Sequence, residues 1–191
     1  ALFGEGICFL VNGISFLAVL WSLFVMRIRP NNPKPGRIAV LEELKEGFKY
    51  TFGFEPMRLI LLLLSVTSAM GMAYVVLMPV FARDVLKGGP EPLGFLMASG
   101  GAGAVAATIY LASRKSILGL GRLIPISTVI FAIGIILFSL SRTLWISMAV
   151  LSVSGVGMMV NMAACYTILQ TISEDVKRGR VMSFYTMSFI G

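Results

Sequence analysis

The chain has 191 residues, of which 57% are hydrophobic and only 13% are charged, and its formal net charge is +7. Soluble chains average about 25% charged residues, so this composition argues against a water-soluble globule. The sequence contains no His, which excludes a Ser-His-Asp triad, a Cys-His pair and a His-ligated metal site built from this chain alone. We therefore expect neither an enzyme nor a protein that holds a metal or another cofactor.

In chain order, five long apolar stretches contain no Asp, Glu, Lys or Arg: residues 6–26, 59–82, 92–113, 123–141 and 143–173. Each is close to the roughly 20 residues that cross the hydrocarbon core of a bilayer as a helix. A sixth apolar run opens at Val181 and continues to Gly191. The sequence predicts an all-α, polytopic membrane protein with a truncated last span, and we expect the chain to be a fragment.

The basic residues are distributed unevenly among the gaps between these stretches. Thirteen of the 16 Lys and Arg residues lie in the gaps at 27–58, 114–122 and 174–180, and the other gaps hold only Arg83, Lys87 and Arg142. This asymmetry follows the positive-inside rule, and the anionic lipid of the cytoplasmic leaflet suits such residues. Membrane lipids are therefore expected partners, and nucleic acid is not.

The linker between the first two spans has two parts. Three prolines, two asparagines and a glycine within residues 30–36 predict a loop. Residues 38–52 then predict an amphipathic helix, because four apolar residues recur there at helical spacing: Leu41, Leu44, Phe48 and Phe52. This helix either lies on the membrane surface with its apolar face down or packs on the bundle as a linker.

The third span is rich in small residues, which form two rows at four-residue spacing. One row is Ala98, Ala102 and Ala106, and the other is Ser99, Gly103 and Ala107. Small residues let helix backbones approach closely in lipid, so the rows serve either static packing or a helix that slides against its neighbour. The fourth and fifth spans are separated only by Arg142, which predicts a tight antiparallel hairpin.

Four segments of the chain resemble exporters of the major facilitator superfamily. The central cytoplasmic linker of these exporters is similar to LEELKEGFKY at 41–50. In the branch that contains enterobactin and macrolide exporters, the junction of the seventh and eighth helices looks like MPVFARDVLKGGPEPLGFLMASGGAGA, from Met78. The tenth-to-eleventh junction of that branch resembles SEDVKRGRVMSFYTMSFIG, from Ser173, and its sixth helix resembles FLVNGISFLAVL, from Phe9.

The resemblance implies part of a twelve-helix, two-bundle transporter. It implies a sixth-helix-like span at 1–29, a cytoplasmic linker at 30–57 and the C-terminal bundle at 58–191, with spans at about 58–82, 92–113, 123–141, 143–172 and from 181. The N-terminal bundle of the same chain would be the missing partner, and the bacterial inner membrane the location. No span has an interior acid, so we expect any proton-coupling carboxylate in the missing half.

The function implied is ion-gradient-driven efflux of small amphipathic molecules by alternating access. A lysophospholipid flippase of the same superfamily is one alternative, and a non-transporting membrane anchor or scaffold is another. In alternating access the two bundles rock around a midplane site, so polar side chains deep in a span are cavity candidates. They are Asn161, Tyr74, Thr67, Ser68 and Asn12. The Asn161 amide either hydrogen-bonds a neighbouring helix or faces the cavity.

The inward-side loops supply a second set of candidates. In the superfamily the loop after the eighth helix carries an Asp followed by basic residues, whereas SRKSILGLGR here has no Asp. A carboxylate latch in this loop is therefore not expected. The basic residues either anchor to lipid phosphates or form salt bridges that open during transport. The candidates for this gate or anchor are Arg178, Arg180, Asp175, Arg114, Lys115 and Arg122.

Overall fold

A computed structural model describes residues 5–26, 40–87, 90–114, 119–175 and 177–190. Within these residues the chain forms seven α-helices: α1 (Glu5–Val25), α2 (Val40–Gly53), α3 (Glu55–Val80), α4 (Pro90–Ser113), α5 (Leu120–Leu140), α6 (Leu144–Ile172) and α7 (Arg178–Ile190). A π-helical turn, Phe81–Val85, extends α3. The described residues contain no strand, so the predicted all-α class is confirmed. The predicted loop at 30–36 lies outside the described residues.

Four of the described helices are long and apolar enough to cross a bilayer. They are α3 with its π-helical turn, α4, α5 and α6, with 31, 24, 21 and 29 residues. At 1.5 Å of rise per residue, each spans the roughly 30 Å of the hydrocarbon core. The protein is therefore an integral membrane protein. In α1 the apolar stretch found in the described residues is shorter, Leu10–Val25.

The chain divides into two compact units, residues 1–37 and residues 38–191. In the first unit, every described side chain of α1 is exposed, and Phe24 is 95% exposed. A helix that is apolar on all sides requires an apolar environment rather than water. The exposed surface of α1 is therefore consistent with the span predicted for this part of the chain, which stays a prediction.

Two helices of the second unit begin three residues before their predicted spans. Helix α3 begins at Glu55 rather than at 58, with Pro56 in its first turn, where the missing N–H of proline breaks no helical hydrogen bond. Helix α5 begins at Leu120 rather than at 123, directly after Gly119 at φ 88°, a conformation that glycine adopts without steric cost. Both helices therefore extend past the charge-free stretches.

Helix α6 is the centre of the second unit, because it contacts α3, α4, α5 and α7. Its crossing with α4 depends on glycine. A Cβ atom at Gly103 would lie 1.9 Å from the carbonyl oxygen of Ser152, and one at Gly155 would lie 2.2 Å from that of Gly100. Close backbone approach of this kind is the usual packing device of helices in lipid.

Only one of the two predicted small-residue rows takes part in this crossing. Gly103 and Ala107 are buried, whereas Ala98, Ala102 and Ala106 are exposed. The row that packs is therefore the one that contains glycine.

Helices α5 and α6 form the antiparallel hairpin that the short gap at Arg142 indicated. A Cβ atom at Gly134 would lie 2.0 Å from the Ser154 hydroxyl oxygen. At the turn, the Ser147 hydroxyl donates a hydrogen bond of 2.9 Å to the Ser141 hydroxyl. Small side chains therefore bring α6 close to α5 on one side and to α4 on the other.

Two buried clusters hold the second unit together, one at each end. The cluster at the basic end joins α3, α5, α6 and α7, and includes Met57, Leu61, Leu64, Ile124, Cys165, Leu169 and Val181. The cluster at the opposite end joins α3, α4, α5 and α6, and includes Met78, Leu96, Phe138 and Leu151. Burial of such side chains in lipid-embedded helices acts through close packing more than through exclusion of water.

Candidate functional site

The amphipathic helix α2 packs against α3 and α7, which corresponds to the linker arrangement of the two considered for it. An ion pair joins α2 to α7, with 3.1 Å between Arg180 Nη1 and Glu46 Oε2. Beside this pair, a Cβ atom at Gly47 would lie 3.2 Å from the Cδ atom of Arg180. The absence of a side chain at Gly47 thus lets the arginine stem pass close to the α2 backbone.

Three aromatic rings continue this contact between α2 and α7. The rings of Phe48 and Phe52 stack with centroids 4.3 Å apart. The ring of Phe184 approaches both of them edge-on, at 6.1 Å from each. Edge-on and offset-stacked arrangements are the favoured ones for aromatic side chains. Phe48 nevertheless remains 53% exposed, so this ring cluster has an open surface.

The turn between α6 and α7 also contacts α2, through Tyr50. The Lys177 ammonium nitrogen lies 4.4 Å from the centroid of the Tyr50 ring, within the range of a cation–π contact. The backbone N–H of Glu174 donates a 3.4 Å hydrogen bond to the Tyr50 hydroxyl oxygen. Helix α2 is therefore held at the same end of the bundle as the α6–α7 turn.

Arg178 connects this turn to the C-terminal end of α6. Its Nε–H donates a 3.2 Å hydrogen bond to the carbonyl oxygen of Gln170, one of the last carbonyls of the helix, which lack partners within it. Its Nη2 lies 2.6 Å from Oδ1 of Asp175. Arg178 and Asp175 thus pair with each other in this structure, whereas Arg180 pairs across to α2.

A groove of about 860 Å³ lies between α2, α3 and α7. Its aromatic wall is the ring cluster, and its other lining residues are Ser65, Ser183, Thr186, Met187 and Ser188. A smaller cavity of about 390 Å³ shares Ser65, Met187 and Ser188 with it and therefore continues the same groove along α3. Ligand pockets in proteins are typically about 300–1,000 Å³, so the groove is large enough for a small organic molecule.

Three of the hydroxyls that line the groove are bonded within their own helices. Those of Ser65, Ser183 and Thr186 each donate to the carbonyl oxygen four residues earlier, at 2.9, 3.0 and 3.0 Å. None of the lining residues that the structure describes carries an ionisable side chain. The groove is thus a mainly apolar surface with a few hydroxyl groups.

Comparison with protein families identifies one whose model matches residues 1–191, described as transmembrane secretion effector. The chain belongs to this family. The family is part of the major facilitator superfamily, so the superfamily resemblance noted in the sequence is confirmed, and the protein is a membrane transporter in general terms. Comparison with curated proteins and with solved structures returned no match.

Of the five cavity candidates in this secretion effector, Ser68 lies at the groove. It lines the smaller cavity, and its hydroxyl donates to the carbonyl oxygen of Phe189 in α7. Thr67 is buried instead, and its hydroxyl donates to the Leu63 carbonyl oxygen at 2.8 Å. Neighbours in sequence therefore occupy different surroundings, because successive residues of a helix point in different directions.

Asn161 and Tyr74 both lie inside the bundle. Asn161 is fully buried, and its amide donates a 2.6 Å hydrogen bond to the Thr128 hydroxyl of α5. This is the helix-bonding alternative considered for it. The half-buried ring of Tyr74 packs edge-on against Phe138 at 6.1 Å. Neither residue lines the groove, so the structure does not bring together the four candidates of the second unit.

The remaining candidates lie outside the groove lining or outside the described residues. Asn12 is an exposed residue of α1, and its carbonyl oxygen accepts a 2.7 Å bond from the Ser15 hydroxyl. Arg114 directly follows the end of α4, and Arg122 is exposed in the first turn of α5. Lys115 lies outside the described residues. Gate or anchor roles for these residues stay predictions.

The groove residues Ser183, Phe184 and Thr186 were not singled out from the sequence. The signal that could have found them is the run of hydroxyl and aromatic residues in α7, SFYT at 183–186, which follows the two arginines. Phe48 and Phe52 were recognised as the apolar face of α2, but what they pack against was not. Their contact with Phe184 joins residues more than 130 positions apart, which no local pattern reveals.

Proposed function

We propose that this secretion effector exports small amphipathic molecules by alternating access, driven by an ion gradient. The observation that carries the proposal is the groove between α2, α3 and α7, which combines three phenylalanine rings with hydroxyl groups. A lining of this composition suits a molecule with an apolar body and a few polar groups. Export and gradient coupling rest on the resemblance to the exporter branch.

In this proposal the groove is part of the path that the cargo takes, and the helices sit in the inner membrane of a bacterium. The N-terminal bundle of the complete transporter would face the groove-bearing half during the transport cycle. Membrane lipids surround the exposed apolar side chains. Arg178, Arg180 and Asp175 then form the inward-side contacts that change as the cargo site alternates between the two faces.

A lysophospholipid flippase is the second candidate, and one observation favours it. Lys45 and Lys49 are exposed on α2, on either side of the half-exposed ring of Phe48. Basic residues next to an apolar surface attract anionic phospholipid at a cytoplasmic membrane face. A lipid with one acyl chain could place the chain in the groove and its phosphate near these lysines.

Transport by the full-length gene product in everted membrane vesicles tests the proposal. A proton gradient is imposed, and the movement of a panel of fluorescent amphipathic compounds and of labelled lysophospholipid is followed with and without an uncoupler. Gradient-dependent movement of a panel compound is the expected result, and movement of lysophospholipid alone would select the flippase.

Vesicles in which the protein is inserted but moves no compound would contradict the export proposal. The matched negative control is the same vesicle preparation from cells that lack the gene. Absence of gradient-dependent accumulation in the control vesicles shows that the movement belongs to this protein rather than to passive entry.

A further inference from the structure

The aromatic wall of the groove is built to receive another ring. Phe48 and Phe52 are stacked, and Phe184 stands edge-on to both. A ligand ring against this open cluster adds a further edge-on or offset contact, which alters affinity by about twofold to tenfold per ring pair. Linear alkyl chains gain no such directional term, so the wall favours aromatic ligands over aliphatic ones of equal size.

Three hydroxyls that line the groove are available as hydrogen-bond acceptors. Each of Ser65, Ser183 and Thr186 has its proton committed to the backbone of its own helix. A hydroxyl group has one donor proton and two acceptor lone pairs, so these oxygens retain lone pairs with which to accept. A ligand satisfies them by donating an O–H or an N–H.

The charge of the groove points to an uncharged ligand. The lining residues that the structure describes carry no ionisable group, and a charge moved from water into such a site without a partner is strongly disfavoured. Lys45 and Lys49, close to Phe48 on α2, are exposed and do not line the groove. Glu46 and Arg180, which lie beside the ring cluster, form an ion pair with each other at 3.1 Å. This pairing reduces the net field that either would exert on a bound ion.

We propose that the groove between α2, α3 and α7 binds uncharged aromatic molecules that carry an O–H or N–H donor. The linker helix α2 supplies two of its three rings, so the site is formed by a linker together with two helices of the bundle. The inference rests on the proposed function, because it names the cargo class of the same groove. The volume of about 860 Å³ accommodates one or two fused or linked rings.

Three small naphthalene compounds distinguish the contributions of the aromatic ring, the hydrogen-bond donor and the charge to binding. The full-length gene product in lipid nanodiscs is equilibrated by dialysis against 1-naphthol, against 1-methoxynaphthalene, which has no donor, and against 1-naphthylmethylamine, which is cationic at neutral pH. Empty nanodiscs of the same lipid correct for partition into the bilayer. We expect 1-naphthol to bind about fivefold more tightly than 1-methoxynaphthalene, because a hydrogen bond contributes a net free energy of about 1 kcal/mol. It should also bind more tightly than 1-naphthylmethylamine, because a charge without a partner is disfavoured beside an apolar lining.

Two variants then assign the effect to the groove. The double substitution Ser183→Ala with Thr186→Val removes two acceptors, and the preference for 1-naphthol over 1-methoxynaphthalene should fall to about twofold or less. Phe184→Leu removes one ring and should weaken both compounds alike, by about threefold to tenfold. The matched controls are Ser139→Ala, an exposed hydroxyl bonded to its own helix, and Phe95→Leu, an exposed ring on α4. Both should bind as the wild type does.

The inference is overturned if the cationic analogue binds as tightly as 1-naphthol, or if the preference survives the double hydroxyl substitution. Should Phe184→Leu fail to yield a monodisperse protein, Phe52→Leu tests the same ring cluster from α2. If vesicles export panel compounds but the groove variants bind 1-naphthol as the wild type does, the proposed function stands and this inference is wrong. If the groove variants lower 1-naphthol binding but no compound is transported along the gradient, this inference stands and the proposed function is wrong.

Discussion

At the residue scale, the packing of the bundle depends on glycines, because they lack the Cβ atom that would collide with a neighbouring helix. At the crossing of α4 and α6, the positions of Gly103 and Gly155 face backbone carbonyls rather than flexible side chains. A carbonyl cannot rotate away as a side chain can, so an added methyl group must move a whole helix. Gly101 lies two residues away on the same helix, and a Cβ atom there would meet nothing within 4 Å.

Replacing Gly103 by alanine should therefore destabilise the protein, whereas the same change at Gly101 should not. Overpacking typically costs about 1–3 kcal/mol, and in an open helical position alanine is favoured over glycine by up to about 1 kcal/mol. The midpoint of thermal unfolding in detergent should fall for Gly103→Ala and stay level or rise slightly for Gly101→Ala. Equal midpoints for the two variants would show that the α4–α6 crossing is looser than described.

At the element scale, α2 is attached to the bundle by three kinds of contact: the ring cluster, the Glu46–Arg180 ion pair and the contacts of Tyr50 with the α6–α7 turn. The ion pair is partly exposed, with 62% of the Glu46 side chain and 33% of the Arg180 side chain accessible. Exposed pairs of this kind contribute about 0.2–1 kcal/mol. The rings therefore provide most of the attachment, and the ion pair adjusts it.

Breaking the ion pair should loosen α2 without releasing it. Glu46→Gln should speed hydrogen exchange of the α2 amides in nanodiscs by about 1.4-fold to fivefold, the range that matches a contribution of about 0.2–1 kcal/mol. The charge swap Glu46→Arg with Arg180→Glu should restore most of the protection. Lys45→Gln, at the neighbouring exposed position, is the control and should leave exchange unchanged. Equal rates in the single variant and the swap would count against a specific pair.

The sequence predicts the helices more completely than it predicts the contacts between them. The apolar lengths predicted α3 to α6 because a helix in a bilayer must satisfy its backbone internally over the full thickness. Helices α3 and α5 begin at Glu55 and Leu120, before those apolar stretches, because their first turns contain charged or turn residues. The groove was not predicted, since it depends on which faces α2 and α7 present to each other. Asn161 shows the same limit: its type indicated a partner, but not that the partner was Thr128.

At the scale of the whole molecule, the excess of basic residues and the contacts of α2 occur at the same end of the bundle. Glu46, Tyr50, Lys177 and Arg180 meet there, and eight of the 11 basic residues that the structure describes lie in the gaps at this end. Anionic lipid and the insertion machinery both favour such an end on the cytoplasmic side. The groove opens near this end, so its cargo would enter from the cytoplasm or from the inner leaflet.

The orientation can be tested with single cysteines that leave every charge in place. In a Cys8→Ser, Cys165→Ser background, Gly179→Cys places a thiol at the basic end, where an added Cβ atom meets nothing within 4 Å. Thr143→Cys places one at the exposed α5–α6 turn. A membrane-impermeant maleimide added to intact cells should label Thr143→Cys, and it should label Gly179→Cys only after permeabilisation, because the positive-inside rule holds the basic loops in the cytoplasm. The cysteine-free background variant, treated with the same maleimide, measures non-specific labelling.

Labelling of Gly179→Cys in intact cells would contradict this orientation. It would show that the open end of the groove is on the outer face, and uptake rather than export would then be the direction of transport to test.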